Sequence, residues 1–235
     1  MSLRALFFDA GNTLLFPDTE LTLAPLIARG IHPTEEALRS SERAVRDRDK
    51  HPQGSTDDAR GSRGYWSIYF DQLFSTLNLP ADPELQKELI ACCHKSTNWR
   101  RIVPRTCEIL LELKRDYRLG VISNSDGGVR QALAVAGIGD CFECVIDSAN
   151  VGFEKPNPAI FRAALTAMNV RPDESVYVGD VYSIDILGAQ AAGIRGILMD
   201  AYCVSVQDSC PRISSLAELP LLLRNLSDTG FTQVT

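Results

Sequence analysis

Long apolar runs are missing from this 235-residue sequence. The longest, "RALFF" (4–8) and "LPLLL" (219–223), are core-sized. They fall well short of the roughly 20 residues that span a bilayer, so no membrane role is expected. Asp9 interrupts the first apolar stretch too early for a secretory leader, and a cytoplasmic location is the expectation. An excess of positive charge is also missing. At a net −6 the chain has no general attraction for nucleic acid or an anionic surface. Histidine is scarce, with three residues, and His51 and His94 stand alone without metal-site spacing. A disulfide framework is not indicated either, because the seven cysteines are odd in number and scattered. "CFEC" (141–144) has redox spacing, but no second CxxC completes a zinc site. Cys144 opens the apolar run "CVI", so the pair reads as structural. Internal repeats and low-complexity tracts are absent from the sequence.

What is present is an ordinary globular composition, 45% hydrophobic and 23% charged. The length suits one large domain, or a core carrying an insertion. Five short runs rich in Val, Ile and Phe read as strands: 4–8, 118–123, 142–146, 175–179 and 195–199. Their nearly continuous apolar character suits strands covered on both faces, as in parallel sheets. Helical patterns at 128–137, 158–170 and 183–193 alternate with the later strands, ending on glycine or beginning with proline. A last helix is expected over 214–226, with a kink or break at Pro220. This alternation predicts a doubly wound α/β fold.

The interval after the first strand breaks the rhythm. Its patterns at 34–50, 65–77 and 83–95 are helical, and the polar, glycine-rich 51–64 reads as a loop. An all-helical insertion over 16–103 is therefore expected. The core is then 1–15 with 104–226, and 227–235 is a frayed tail.

In open α/β sheets ligands bind beyond the carboxyl ends of the strands. Asp9 follows the first strand, with Thr13 four residues on. Ser123 and Asn124 end the second. Lys155 lies in "EKPNP" after the third, and Asp180 and Asp185 lie in "GDVYSID" after the fourth. Each alone has a plainer reading as a cap, turn former or surface lysine. Together and in order they suggest phosphoryl chemistry. Asp9 is the candidate nucleophile, and Ser123 a hydrogen-bonder to phosphoryl oxygens. Lys155 neutralises the phosphoryl group and keeps Asp9 ionised. The three aspartates repel one another unless a cation sits among them, and magnesium suits a few carboxylates, waters and a phosphate oxygen.

The ordered motifs "FFDAGNTLL", "VISNS", "EKPNPAIF" and "VGDVYSIDILGA" resemble those of the haloacid dehalogenase superfamily over nearly the whole chain. That resemblance implies a Rossmann-like core with a helical cap inserted after the first strand. It further implies Asp9 as nucleophile, Thr13 and Ser123 as phosphate-side hydrogen-bonders and Lys155 as the phosphate-stabilising lysine. Asp180 would be a direct magnesium ligand, Asp185 would support the metal through water, and the Gly11 carbonyl would supply another ligand.

Phosphatases of that superfamily usually carry an acid–base aspartate two residues after the nucleophile. Gly11 stands there instead. Such help is worth ~10²–10⁴-fold, so turnover is expected to be slow or to favour activated acyl or aryl phosphates. On this reading Gly11→Asp should speed the hydrolysis of unactivated esters. Two alternatives remain open. One is phosphonate-cleaving or dehalogenase-type chemistry. A Schiff-base role for Lys50 fits the former, although "RDRDK" reads as a solvated face, while retention of Asp180 and Asp185 argues against dehalogenation. The other is a phosphate-binding regulatory protein with little catalysis.

The cap should close over the site and exclude water, implying a small phosphorylated metabolite as substrate. Arg43, Arg46, Arg48, Arg60 and Arg63 are its cationic candidates, read mostly as solvated. Tyr65, Trp66, Tyr69 and Phe70 read as cap core. Oligomeric state is left open.

Overall fold

A computed structural model describes residues 2–49, 62–201 and 210–228. Among the described residues, eight strands form in chain order: β1 (Ala5–Phe8), β2 (Phe16–Pro17), β3 (Trp99–Arg101), β4 (Arg118–Ser123), β5 (Cys144–Asp147), β6 (Ser175–Gly179), β7 (Arg195–Met199) and β8 (Arg212–Ile213). Six make one sheet in the order β5-β4-β1-β6-β7-β8, with every neighbouring pair parallel. The sheet lies between helical layers, as expected for an α/β Rossmann-like fold.

The helices are α1 (Thr19–Thr22), α2 (Ala24–Ile27), α3 (Glu35–Asp49), α4 (Ser62–Thr76), α5 (Pro83–Cys93), α6 (Thr106–Leu113), α7 (Val129–Val135), α8 (Ser148–Val151), α9 (Pro158–Met168), α10 (Leu187–Ala191) and α11 (Leu219–Asp228). None of the described helices is long and apolar enough to cross a membrane.

Strand alternation explains the two halves of the core. Leu6 and Phe8 of β1 face one side with Val121, Val176, Val178 and Ile197, packed on α6, α7 and α11. Ala5 and Phe7 face the other with Ile122 and Tyr177, packed on Ile160, Phe161 and Ala164 of α9. The central strands are buried throughout, which is why their sequences run apolar without alternating. A third cluster belongs to the inserted helices: Leu26 of α2, Val45 of α3, Tyr69, Phe70 and Leu73 of α4, and Leu89 of α5.

The strand expectations at 118–123, 175–179 and 195–199 match β4, β6 and β7. β5 starts two residues later than expected, because Phe142 turns into the core beside Phe8 instead of pairing. β8 has only two residues, too few to leave a pattern. The insertion is also not helical to its ends, since β2 and β3 pair antiparallel and tie the two linkers together. The expected helix over 214–226 is broken next to Pro220, between a 3-10 turn and α11. Pro220 occupies the second position of α11, directly after that turn at Leu216–Glu218, where its missing N–H has no helical partner to lose. Six cysteines fall in the described residues, all as free thiols, with Cys141 and Cys144 buried. Lys50, His51, Arg60, Cys203 and most of the expected 51–64 loop and 227–235 tail lie outside the described residues.

Candidate active site

β1 lies between β4 and β6, so the chain reverses its direction of sheet growth there. This is the switch point where α/β sheets bind ligands. Asp9 leaves β1 with its N–H bonded to the Val178 carbonyl. The next residues curl tightly, as Leu14 and Leu15 N–H both donate to the Ala10 carbonyl and Asn12 takes a left-handed φ of 52°.

Lys155 organises the floor of the site. Its side chain is 3% exposed, and Nζ donates to Asp9 Oδ1 at 2.5 Å, Asp185 Oδ1 at 2.7 Å and Tyr177 Oη at 2.9 Å. Those three bonds use all its protons. Burial works against the ammonium, but Asp185 and Asp9 outweigh it, so the lysine is held charged. Asn124 fixes the Lys155 backbone through both ends of its amide: Lys155 N–H donates to Oδ1 at 2.7 Å, and Nδ2 donates to the Lys155 carbonyl at 3.0 Å. Asn124, expected to bind substrate, thus spends its polar atoms positioning the lysine.

Asp185 accepts from Lys155, from Tyr177 Oη at 2.9 Å, and from the N–H groups of Asp180 at 3.1 Å and Val181 at 3.0 Å. Four donors fill its lone pairs. It is carried on a single π-helical turn, Tyr182–Ile186, that lays the carboxylate against the end of β6. Gly179 makes this approach possible, because a Cβ there would stand 2.5 Å from the Asp185 carboxyl carbon.

Carboxylate oxygens of Asp9, Asp180 and Asp185 lie within 4.8 Å of one another, all buried. Burial raises the Asp9 pKa, with Lys155 opposing. It also pushes Asp180 up to about 6 against the pull of Arg46. Three clustered carboxylates and the single ammonium of Lys155 leave the floor acidic. Oxygen donors in this number suit a hard divalent ion that retains several waters.

Arg46 departs most from expectation. It is not solvated: it reaches from α3 across the cavity, its side chain 9% exposed. Nη2 donates to Asp180 Oδ2 at 2.7 Å and Nη1 to the Asp180 carbonyl. On the cap side Glu42 stands 3.6 Å from its Nε, and Tyr65 Oη donates to Glu42 at 2.5 Å. Burial opposes the charge on Arg46, but Asp180 and Glu42 help to overrule it.

A cavity of about 510 Å³ opens between floor and cap. Asp9, Gly11, Ser123, Asn124, Lys155, Asp180 and Asp185 all line it. Thr13 is buried beneath, and its hydroxyl has no hydrogen-bond partner. Tyr69 and Phe70 are cap core as expected, whereas Tyr65 and Trp66 also line the cavity. Sequence reading missed Trp99 and gave His94 no role, yet both line the cavity. Trp99 matters for Gly11: a Cβ on Gly11 would lie 3.3 Å from Trp99 Cζ3. A side chain at Gly11 would press on the indole ring, so Gly11→Asp requires Trp99 to shift.

The model of the haloacid dehalogenase-like hydrolase family matches residues 3–193. A glyceraldehyde 3-phosphate phosphatase of Methanothermobacter thermautotrophicus is 44% identical over 106 residues, covering 43% of this chain and 46% of that protein. The match therefore spans about half the length of that relative. Human haloacid dehalogenase-like hydrolase domain-containing protein 3 is 28% identical over 239 residues, covering 95% of this chain and 93% of the relative. Among solved structures, a magnesium-bound HAD hydrolase, YfnB of Bacillus subtilis, superposes with a TM-score of 0.70 at 19% identity, covering 95% of this chain and 99% of that one. That likeness is one of fold. With the family model spanning both the Asp9 turn and the Asp180–Asp185 turn, the chain belongs to the haloacid dehalogenase-like hydrolases.

Proposed function

We propose that the protein is a magnesium-dependent, cytoplasmic phosphohydrolase of small phosphorylated metabolites that works through an aspartyl-phosphate on Asp9. The observation that carries this reading is the constellation of Asp9, Lys155, Asp180 and Asp185 at one switch point, with buried carboxylates held by a fully bonded lysine. The curated relative named for phosphatase action on a small metabolite supports the substrate class.

Each group has a defined task. Asp9 Oδ attacks phosphorus, and Lys155 draws charge from the phosphoryl oxygens while opposing the burial that raises the Asp9 pKa. Ser123, at the end of β4, donates to the phosphoryl group, and Thr13 supports the turn that aims Asp9. Asp9, Asp180 and the Gly11 carbonyl hold the metal. Asp185, already saturated by four donors, orients Lys155 and the Asp180 backbone and would act on the metal through Asp180 and by its charge. Magnesium, when bound, screens the charge between the phosphoryl group and the carboxylates. Residues 16–103 act as the cap that covers the cavity, and 1–15 with 104–226 as the catalytic core.

Phosphate release from acetyl phosphate, p-nitrophenyl phosphate and sugar phosphates, with magnesium and with chelator, tests the reading. Release that needs both magnesium and Asp9 is expected. Undiminished activity in Asp9→Asn would refute the nucleophile.

A further inference from the structure

We propose that the leaving group of the substrate is an uncharged aromatic ring seated on Trp99 and Trp66, making the site selective for aryl phosphates. This rests on the phosphohydrolase reading above and adds the chemistry of the group that departs.

The ring of Trp99 borders Gly11, its Cζ3, Cε3 and Cη2 lying 3.3, 3.6 and 3.7 Å from the Cβ position of that residue. It is held there. Its indole N–H donates to the Cys93 carbonyl at 2.7 Å, and its backbone pairs with Pro17 across the linkers. Trp66 meets it edge to face at 6.0 Å and 61°, and is itself packed on Tyr65, Tyr69 and Phe70. Both tryptophans are only half-buried and line the cavity. They form a rigid aromatic wall directly above the nucleophile's turn.

Charge supports the same occupant. Among the described residues, the formal charges lining the cavity are Asp9, Asp126, Glu154, Asp180 and Asp185 against Lys155. The lysine is committed to Asp9 and Asp185, and nearby Arg46 is bonded to Asp180. Among the described residues, the acids Asp126 and Glu154 line the cavity and no uncommitted side-chain cation does, so with magnesium engaged by the phosphoryl group a leaving group bearing a carboxylate or second phosphate would find no side-chain counter-charge there. A neutral ring meets apolar surface and aromatic edges, the geometry that favours aromatic pairs.

The chemistry agrees. With no acid at Gly11, a leaving oxygen that is stable as an anion is favoured. Phenols ionise near pH 10, like tyrosine, and an aryloxide departs unaided far more readily than an alkoxide. Asp9 Oδ bonds to phosphorus as the phosphorus–oxygen bond to the arene breaks, and the aryloxide takes the electron pair and later a proton from water. Water then attacks the aspartyl-phosphate, releasing phosphate and returning Asp9 as carboxylate.

The test compares phenyl phosphate with glycerol phosphate as substrates, and phenylphosphonate with methylphosphonate as ligands followed by tryptophan fluorescence. Phenyl phosphate should be turned over ~10²–10⁴-fold faster than glycerol phosphate, the usual worth of the absent acid. Phenylphosphonate should bind about 2- to 12-fold more tightly than methylphosphonate, the fold-change of one aromatic pair. That preference should vanish in Trp99→Leu and persist in Trp99→Phe, which retains a ring. Equal turnover of the two esters, or equal affinity for the two phosphonates, overturns the proposal while leaving the phosphohydrolase reading intact. Silence on every phosphate, acetyl phosphate included, overturns that reading and this one with it.

Discussion

Replacing Arg46 with methionine should tighten magnesium binding while weakening the chelator-treated protein. Arg46 makes two hydrogen bonds to Asp180, one to its carboxylate at 2.7 Å and one to its carbonyl. A metal ion that takes Asp180 Oδ2 must first displace the guanidinium. Hydrogen bonds to charged groups are worth about 1.5–3 kcal/mol net, and one such bond would be lost outright. At 1.4 kcal/mol per tenfold, Arg46→Met should lower the magnesium Kd roughly 10- to 100-fold. The opposite effect on stability follows from the same contacts. Glu42 and Asp180 are buried around the guanidinium, and removing one partner of a buried ion pair costs about 3–5 kcal/mol. Thermal melts in chelator should show that loss, and magnesium should recover much of it. Calorimetric titration with magnesium reads the affinity without any substrate. Arg46→Lys keeps the charge but not the paired geometry, and should fall between the two. A folded Arg46→Met protein that binds magnesium no more tightly than wild type would refute the reasoning, because Arg46 and the ion would then not be competing for Asp180.

Four further outcomes are expected. Lys155→Met strands Asp9 and Asp185 without their shared cation, and should abolish turnover and cost about 3–5 kcal/mol in chelator, read by urea unfolding. Tyr177→Phe removes the hydroxyl that bridges Lys155, Asp185 and the Ile122 carbonyl. It should destabilise by about 1–3 kcal/mol and lower kcat more than it raises KM. Gly11→Asp should destabilise by about 1–3 kcal/mol through overpacking against Trp99 and accelerate alkyl esters little, whereas the double variant with Trp99→Ala should accelerate them. Burial holds Asp180 near 6, above its unfolded 3.8. The folded state therefore binds the extra proton between these values, so the contribution of this carboxylate to stability should decline as pH rises through that interval in chelator, read as the difference between wild type and Asp180→Asn. Magnesium should remove that difference in slope, and a wild type that gains stability over Asp180→Asn as pH rises through the same interval in chelator would contradict it.

Much of the core was legible because its signals are local. A strand buried on both faces must be apolar along its length, and so β4, β6 and β7 were bounded to the residue. Each motif sits at a strand end, so one rule about parallel sheets brought Asp9, Ser123, Lys155, Asp180 and Asp185 to one place. Short elements escaped. β8 and the β2–β3 pair are two or three residues long, and their pairing depends on where distant chain ends meet. Asn124 lines the cavity and also holds the Lys155 backbone, a contact that spacing does not reveal, because it does not tell which neighbours an amide bonds.

Residue order alone carries the fold class, the inserted helices, the succession of acidic and basic groups, and the lack of an acid at Gly11. What borders Gly11 and Asp180 comes from long-range packing. Trp99 reaches Gly11 because β3 pairs with β2, and Arg46 reaches Asp180, 134 residues away along the chain, because α3 packs on α4 with its polar edge over the sheet. The first contact depends on strand pairing between distant linkers, and the second on the rotation of α3 about its axis and its seating over the switch point. Those angles are set by side-chain packing in three dimensions, and helical periodicity alone carries no information about them.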